Sequence, residues 1–301
     1  MNVTQALQNA SSNGSQIAHS ESLLFPLTVW MAIGLVVNGL GTLGNGILLT
    51  ATLTYRPLRS ASNWPLMAHN IALDLIMSLI SNPGAIAVTF DAYRQPLTLT
   101  FCRLWAPIRF LTQSVCTWSH CALAVNRFLA IVSPKHYKRL VTRKAILAGI
   151  FFPWIIGGSV VLFPTTGLVS RFVPDSTWAV GCQLVSNNPG FETYRVLMNV
   201  YVPLIISGIC YVLVMVNAKI ALHVRVGQVT PLVDRNARNR YETSKVLLLC
   251  FVWYFSPNLA ANIFYMKQSQ RPPPFMVLIG KGLQCVISAV NPVRKSGCLH
   301  S

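Results

Sequence analysis

Three ionisable side chains interrupt long apolar runs of this chain. Asp74 lies within Pro65–Phe90 and Lys281 within Phe275–Ser296, while Arg127 lies near the end of a third apolar run. Charged groups inside membrane segments are costly and by default indicate a functional site. The chemistry open to them is cation binding by the acid and anion binding or switching by the two bases.

Asp74 lies near the middle of its run, where its carboxylate could bind a cation. Polar residues predicted to face it are Asn45, Ser288 and Asn291. Together with water, these oxygen ligands could hold a small hard cation such as sodium. The alternative is a protonated, neutral Asp74 that serves as a hydrogen-bond hub, and the sequence leaves both open.

Arg127 follows Cys102 by 25 residues. At 1.5 Å per residue a helix of that length spans roughly 37 Å, which is enough to cross the apolar core of a membrane. If Cys102 lies at the outer surface, Arg127 emerges at the cytoplasmic face, where its guanidinium can reach the interface or a watery cleft.

The composition predicts the elements that must position these residues. Of the 301 residues, 53% are hydrophobic and 10% charged, whereas a soluble domain carries roughly 25% charged residues. A spanning helix needs about 20 apolar residues. Seven runs qualify: Phe25–Leu53, Pro65–Phe90, Phe101–Val132, Ala145–Thr166, Tyr194–Leu222, Ser244–Met266 and Phe275–Ser296. They predict an all-α bundle of seven transmembrane helices rather than a large soluble helical protein.

The distribution of basic residues predicts the orientation. Residues 1–55 contain no Lys or Arg, and the net charge of +17 is concentrated in alternate loops, which are therefore cytoplasmic. This distribution argues against a nucleic-acid partner. The N-terminal tail, residues 1–24, is then extracellular, and it carries N-x-S/T glycosylation acceptors at Asn2, Asn9 and Asn13.

Cys102 and Cys182 are both predicted on the oxidising outer side, which favours a disulfide between them. The alternative is two free thiols. The eight cysteines form no C-x-x-C pair and the six histidines are isolated in the sequence, which argues against zinc sites and di-iron membrane enzymes. Paired carboxylates and nucleophile motifs are lacking too, so we expect no enzyme.

Short motifs occur in order along the seven spans. They are Gly44-Asn45, "ALDL" around Asp74, the outer Cys102, "NRF" at 126–128, Trp154, Pro203 with Tyr211, "FVWYFSP" with Phe251, Phe255 and Pro257, and "NPVRK" at 291–295. Over residues 25–297 the chain resembles a rhodopsin-like (class A) G-protein-coupled receptor. The Asn-Arg-Phe variant is similar to that of melatonin and Moody-type orphan receptors.

The resemblance implies a multi-pass plasma-membrane protein that passes binding of an outside small-molecule or peptide ligand to a heterotrimeric G protein, by opening the inner ends of helices five and six. The implied coupling switch comprises Asn126, Arg127, Phe128, Tyr211, Asn291 and Pro292. The implied activation relay comprises Phe251, Phe255 and Pro257, whose alternative role is ordinary core packing.

Several residues depart from the family pattern. Asn126 stands beside Arg127 where the family has an acid. Ala237 stands at the position of helix six where the family has a second acid that restrains the arginine. Arg127 should therefore be loosely restrained, which predicts raised basal activity. Phe255 replaces a tryptophan and Lys295 a tyrosine. With these changes, a receptor-like decoy that does not signal is the alternative.

The short tail, residues 298–301, leaves no room for an eighth helix, which leaves a truncated isoform open as well. Palmitoylation of Cys298 is favoured over prenylation, because "CLHS" departs from the C-a-a-X pattern at His300. A transporter is a further alternative, although the two halves of the chain show no internal repeat.

Arg109 and Lys281 are predicted in the outer third of the bundle. Two cations facing one cavity favour an anionic ligand, for instance a carboxylate or phosphate. Arg109 also stands where amine receptors carry an acid, which argues against an amine. The alternative is that Arg109 pairs with Asp91 or Glu192, or reaches water. The remaining ligand-binding candidates are Trp105, Gln113, Tyr265 and Gln284.

The basic inner loops are expected to contact the G protein, anionic lipids or both. Apart from the sodium ion, no cofactor is expected, and a homodimer is left open.

Overall fold

The computed structural model describes residues 3–60, 63–133, 136–137, 139, 141–175, 181–225, 241–242, 244–245, 248–249, 251–252, 278–283 and 285–286. The first four helices are α1 (Val3–Thr54), α2 (Arg56–Arg59), α3 (Trp64–Ile76) and α4 (Asn82–Arg94). They are followed by α5 (Leu99–Val132), α6 (Arg143–Thr166), α7 (Pro189–Val196) and α8 (Val202–Arg225).

Five helical stretches are long and apolar enough to cross a membrane. They are Leu24–Thr54, Trp64–Arg94, Leu99–Val132, Arg143–Thr166 and Pro189–His223. The first five predicted spans are thus confirmed, each end within five residues of its predicted position. The sixth and seventh predicted spans lie mostly outside the described residues, although helical residues are described in both, at 244–245, 248–249, 251–252, 278–283 and 285–286.

Capping residues define where the third and fourth spans begin. The Thr98 side chain accepts a hydrogen bond from the Phe101 backbone N–H, and Thr142 does the same for Ala145. Each cap satisfies one of the backbone donors that a helix N-terminus leaves without an intrahelical partner.

Two spans contain a π turn that ends two residues before a proline. In the second span the turn is Met77–Ser81, which precedes Pro83, and in the fifth it is Leu197–Tyr201, which precedes Pro203. Proline has no N–H to donate to the preceding turn, and the wider turn accommodates this by shifting the hydrogen-bond pattern by one residue.

The third span is the centre of the bundle. Its residues take part in separate core clusters with the second span (Val115 with Leu73), with the fourth (Trp118 with Ile156) and with both (Leu123). Large apolar side chains elsewhere point outward, as expected for helices in contact with lipid; they include Phe151, Ile155, Leu162, Ile205 and Ile209.

A two-stranded antiparallel hairpin joins the fourth and fifth spans. Its strands are β1 (Ser170–Pro174) and β2 (Cys182–Ser186), and Pro174 pairs with Cys182. Burial alternates along β1, with Ser170 and Phe172 buried and Arg171 exposed, as expected for a strand with one covered face. The membrane bundle is all-α as predicted, and this hairpin is an addition at its outer end.

Candidate functional site

The predicted disulfide between Cys102 and Cys182 is confirmed, with 5.4 Å between the two Cα atoms. Cys102 is fully buried in a cluster with Ala106 and Phe172. The Phe172 ring lies 5.5 Å from that of Phe110 on the third span. The hairpin is therefore fixed, covalently and by packing, onto the outer end of the third helix.

Gly181 closes the hairpin against the second span. Its φ of 79° lies in the left-handed region, which is unfavourable for residues with a Cβ. A Cβ there would also lie 3.1 Å from Val88 Cγ1. The Gly181 carbonyl accepts a 2.7 Å hydrogen bond from the Asp175 N–H. This hydrogen bond holds Asp175 at the outer end of the bundle.

Charged groups converge beneath this hairpin. Lys281 Nζ donates a 2.6 Å hydrogen bond to Thr89 Oγ1, whose residue is fully buried on the second span. Arg109 and Asp175 both act electrostatically on Lys281. Lys281 and Arg109, which the sequence predicts to share a cavity, thus interact electrostatically, and Asp175 is an acid that no sequence pattern connects with them. The shared cavity stays a prediction.

Trp105 occupies the space left by a missing side chain on the second span. A Cβ at Gly84 would overlap the indole ring of Trp105. Gln113 is partly buried one turn inward from Arg109, and its backbone carbonyl accepts a hydrogen bond from Thr117. The other two ligand-binding candidates, Tyr265 and Gln284, lie outside the described residues.

The two acids suggested as alternative partners of Arg109 have different surroundings. Glu192 forms an ion pair with Arg195 one turn along the same helix. Asp91 is exposed near the end of the second span. In the described part of the chain, Asp175 is the acid that acts electrostatically on Lys281.

Asp74 is almost fully buried and is contacted by two residues of the third span. Its Oδ1 lies 3.1 Å from His120 Nε2 and 3.6 Å from Cys116 Sγ. The histidines are isolated along the sequence, but the fold brings His120 next to Asp74 and Cys116. The missed signal was the four-residue spacing of Cys116 and His120, which puts both on one face of a helix.

The other residues expected around Asp74 give no test of the sodium prediction. Asn45 is fully buried and donates its Nδ2 to the Gly41 carbonyl of its own helix at 2.9 Å. Ser288 and Asn291 lie outside the described residues. The sodium ion stays a prediction.

At the inner end of the third span, Asn126 is buried and bonded to the following loop. Its Oδ1 accepts a hydrogen bond of 3.4 Å from the Tyr137 hydroxyl. Arg127 and Phe128 are partly buried, five and four residues before the helix ends at Val132. The structure thus gives Asn126 a neutral partner in place of an ion pair.

The fifth and sixth spans meet through two aromatic rings. Tyr211 and Phe251 have ring centroids 5.5 Å apart and planes inclined at 45°. Phe251 reaches the fifth helix at Gly208, where a Cβ would lie 3.2 Å from its Cζ. One predicted switch residue and one predicted relay residue are thus in direct contact.

The remaining predicted site residues are placed as follows: Phe255, Pro257, Asn291, Pro292 and the acceptor Asn2 lie outside the described residues, and the acceptors Asn9 and Asn13 lie on α1. Their roles stay predictions.

Comparison with known proteins agrees with this architecture. Residues 44–293 match the family model of the 7 transmembrane receptor (rhodopsin family). The chain is 26% identical over 182 residues to tyramine receptor 1 of Locusta migratoria, covering 60% of this chain and 37% of that one. It is 25% identical over 218 residues to the alpha-1A adrenergic receptor of Rattus norvegicus, with shares of 71% and 45%.

The human 5-hydroxytryptamine receptor 2C is 28% identical over 190 residues, with shares of 61% and 40%. The chain thus spans less than half the length of these three relatives. The family consists of receptors rather than enzymes. The family match and the membrane-length helices of this chain indicate a multi-pass protein of the plasma membrane. The match covers most of the chain, so this protein belongs to the rhodopsin family of seven-transmembrane receptors.

Proposed function

We propose that this chain is a receptor that converts binding of an extracellular ligand into activation of a heterotrimeric G protein. The observation that carries the proposal is the third span, a single helix of 34 residues. It carries Arg109, which acts electrostatically on Lys281, in its outer half and Arg127 near the end that is predicted to be cytoplasmic. One continuous helix therefore joins the outer charged site to the inner switch.

The outer site favours an anionic ligand. Arg109 and Lys281 act on each other electrostatically, and a carboxylate or phosphate between them would relieve the repulsion between like charges. A guanidinium can also hold a carboxylate through two parallel hydrogen bonds. Asp175 at the hairpin end would then bound the site on one side, or bind a cationic group of the same ligand.

An amine is the second candidate ligand, because the relatives are named for tyramine, adrenergic and 5-hydroxytryptamine ligands. A protonated amine would approach two cations here, Arg109 and Lys281, with Asp175 as an acid that acts on Lys281. Like charges brought together in a water-poor site repel strongly. The charge balance therefore favours the anion.

Ligand binding tests this choice. A charge-assisted hydrogen bond contributes about 1.5–3 kcal/mol, so Arg109→Gln should weaken binding of a carboxylate ligand roughly 10- to 150-fold. Arg103→Gln is the matched control, because Arg103 is exposed on the same helix. A screen of carboxylate, phosphate and amine libraries by radioligand or thermal-shift binding supplies the probe. Carboxylate binding that is equally strong in both variants would exclude the anionic site.

G-protein activation in cells tests the signalling. Arg127→Ala should abolish activation at matched surface expression, while Arg139→Ala, an exposed cation of the following loop, should not. Asn126→Asp supplies the acid that would restrain Arg127, so it should lower basal activity. Wild-type basal activity at or below that of Asn126→Asp would contradict the inference that Arg127 is loosely restrained in the wild type.

The alternatives give different results in the same cells. A decoy binds the ligand but shows no basal or ligand-driven activation in the wild type. A transporter instead shows substrate uptake that is indifferent to Arg127→Ala. Homodimer formation and binding of anionic lipids by the basic inner loops are further parts of the proposal, to be measured by crosslinking and by vesicle binding.

A further inference from the structure

Asp74 and its neighbours offer a set of donor atoms unlike that of an alkali-cation site. The carboxylate oxygen of Asp74, the Sγ of Cys116 and the Nε2 of His120 lie within 4.8 Å of one another. The carboxylate oxygen is a hard donor, the imidazole nitrogen is intermediate, and the sulfur is soft. Alkali and alkaline-earth cations take oxygen ligands, whereas imidazole and thiolate together select transition metals such as zinc.

The fold holds the three side chains on two packed helices. Cys116 and His120 project from successive turns of the third span, and Asp74 comes from the second. The backbones beside them are fixed by a buried core cluster that includes Leu73 and Val115. The donor atoms are therefore positioned by regular helices rather than by loops, which favours a defined coordination geometry.

The separations suit a tetrahedral ion. Zinc lies about 2.0–2.2 Å from nitrogen and oxygen ligands and about 2.3 Å from sulfur, so neighbouring ligand atoms are roughly 3.3–3.7 Å apart. Asp74 Oδ1 lies 3.1 Å from His120 Nε2 and 3.6 Å from Cys116 Sγ. The third pair is at most 4.8 Å apart, so a rotamer adjustment of about 1 Å completes the triangle.

We propose that Asp74, Cys116 and His120 form a binding site for one divalent transition-metal ion of the zinc class. On binding, the Cys116 thiol releases its proton to solvent and coordinates as thiolate, His120 coordinates as neutral imidazole through Nε2, and Asp74 coordinates as carboxylate. The two anionic ligands balance the charge of the ion, and water takes the fourth position. The ion ties the second span to the third.

Two other occupants are outcomes of the test. The first is a direct ion pair, since His120 Nε2 already lies within 4.0 Å of the Asp74 carboxylate. The second is sodium at the Asp74 carboxylate with further oxygen ligands. Replacing Cys116 with serine separates all three, because it exchanges a soft sulfur donor for a hard oxygen of similar size.

The first experiment uses cobalt as a spectroscopic probe of the purified, metal-stripped full chain in lipid nanodiscs. The wild type should bind one Co²⁺ per chain and show the near-ultraviolet band of thiolate-to-cobalt charge transfer. Cys116→Ser should lose that band, and His120→Gln should weaken binding at least about tenfold. Cys121→Ser is the matched control, because Cys121 is a buried free thiol on the same helix and should leave the spectrum unchanged.

The second experiment compares the effects of Zn²⁺ and Na⁺ on the thermal unfolding of the same samples. At a hundredfold excess over Kd, zinc should raise the Tm of the wild type and of Cys121→Ser by about 5 °C. Cys116→Ser should lose the zinc response and gain one to sodium.

Three results would overturn the proposal: a wild-type cobalt spectrum without the charge-transfer band, equal zinc responses in Cys116→Ser and Cys121→Ser, or a wild type stabilised by sodium alone. The first needs no variant, so a failure of either variant to fold leaves the proposal testable. Neither assay involves a ligand or a G protein, so the result is independent of whether the receptor signals.

Discussion

The Trp118 indole satisfies a backbone carbonyl that the fifth helix leaves without an intrahelical donor. In the π turn Leu197–Tyr201, the Val202 N–H bonds to the Leu197 carbonyl. In a regular α-helix the Val202 N–H would instead bond to the Met198 carbonyl. The residue after Val202 is Pro203, which has no N–H to replace it. Trp118 Nε1 of the third span donates to the Met198 carbonyl instead, at 2.8 Å.

Trp118→Phe removes this donor while keeping an aromatic ring in the site. The side chain is 5% exposed and lies edge-on to Phe152, 5.4 Å away, so water cannot readily replace the lost N–H. An unsatisfied buried carbonyl costs about 1–3 kcal/mol, whereas hydrogen bonds between membrane helices average about 0.6 and reach about 1.7 kcal/mol. We expect a loss of about 1–2 kcal/mol, or roughly 2–4 °C in Tm.

A thiol-reactive fluorescent dye gives the assay, because four of the described cysteines are free and buried and react only on unfolding. Pro203→Ala restores a backbone N–H to the fifth helix just after the π turn, so it gives the carbonyl an alternative donor. In that background Trp118→Phe should be less costly, by about 0.5–1 kcal/mol in a double-mutant cycle.

Equal losses from Trp118→Phe in both backgrounds would refute the carbonyl argument and leave simple ring packing as the role of Trp118. A loss below about 0.3 kcal/mol would show that the carbonyl finds another donor.

Two further predictions concern the outer end of the bundle. Cys102→Ser and Cys182→Ser should each lower the free energy of unfolding by at most about 4.5 kcal/mol, which is the chain-entropy value for a separation of 80 residues. The double variant should lose no more than either single variant. Thermal melts under non-reducing conditions would check both expectations. Gly84→Ala should cost about 1–3 kcal/mol, because its Cβ overlaps Trp105. Gly158→Ala meets nothing within 4 Å and should be neutral or stabilising by up to about 1 kcal/mol in the same melts; equal effects of the two alanines would contradict the steric argument.

The bundle could be predicted from the sequence because lipid constrains each helix separately. About 20 apolar residues are needed to cross, and every backbone group must be satisfied inside the segment. Length and composition alone therefore placed the ends of the first five spans to within five residues. The Cys102–Cys182 pairing followed from orientation, since both residues lie on the oxidising side.

The candidate sites could be predicted only in part. The depth of Asp74 and the outer positions of Arg109 and Lys281 follow from counting residues along each span. Asp175, which acts on Lys281, directly follows strand β1 in the connection between the fourth and fifth spans. The sequence of this connection has no periodicity that would predict where it folds.

The sequence by itself predicted which segments cross the membrane, in which direction, and how deep each charged residue lies, because those properties belong to one helix at a time. The tertiary structure decided which side chains meet: His120 with Asp74, Trp118 with the Met198 carbonyl, and Lys281 with Thr89 across 192 residues. These contacts depend on the rotation and register of each helix against its neighbours. Both are set by the interlocking of side chains between helices, which a single helical pattern does not contain.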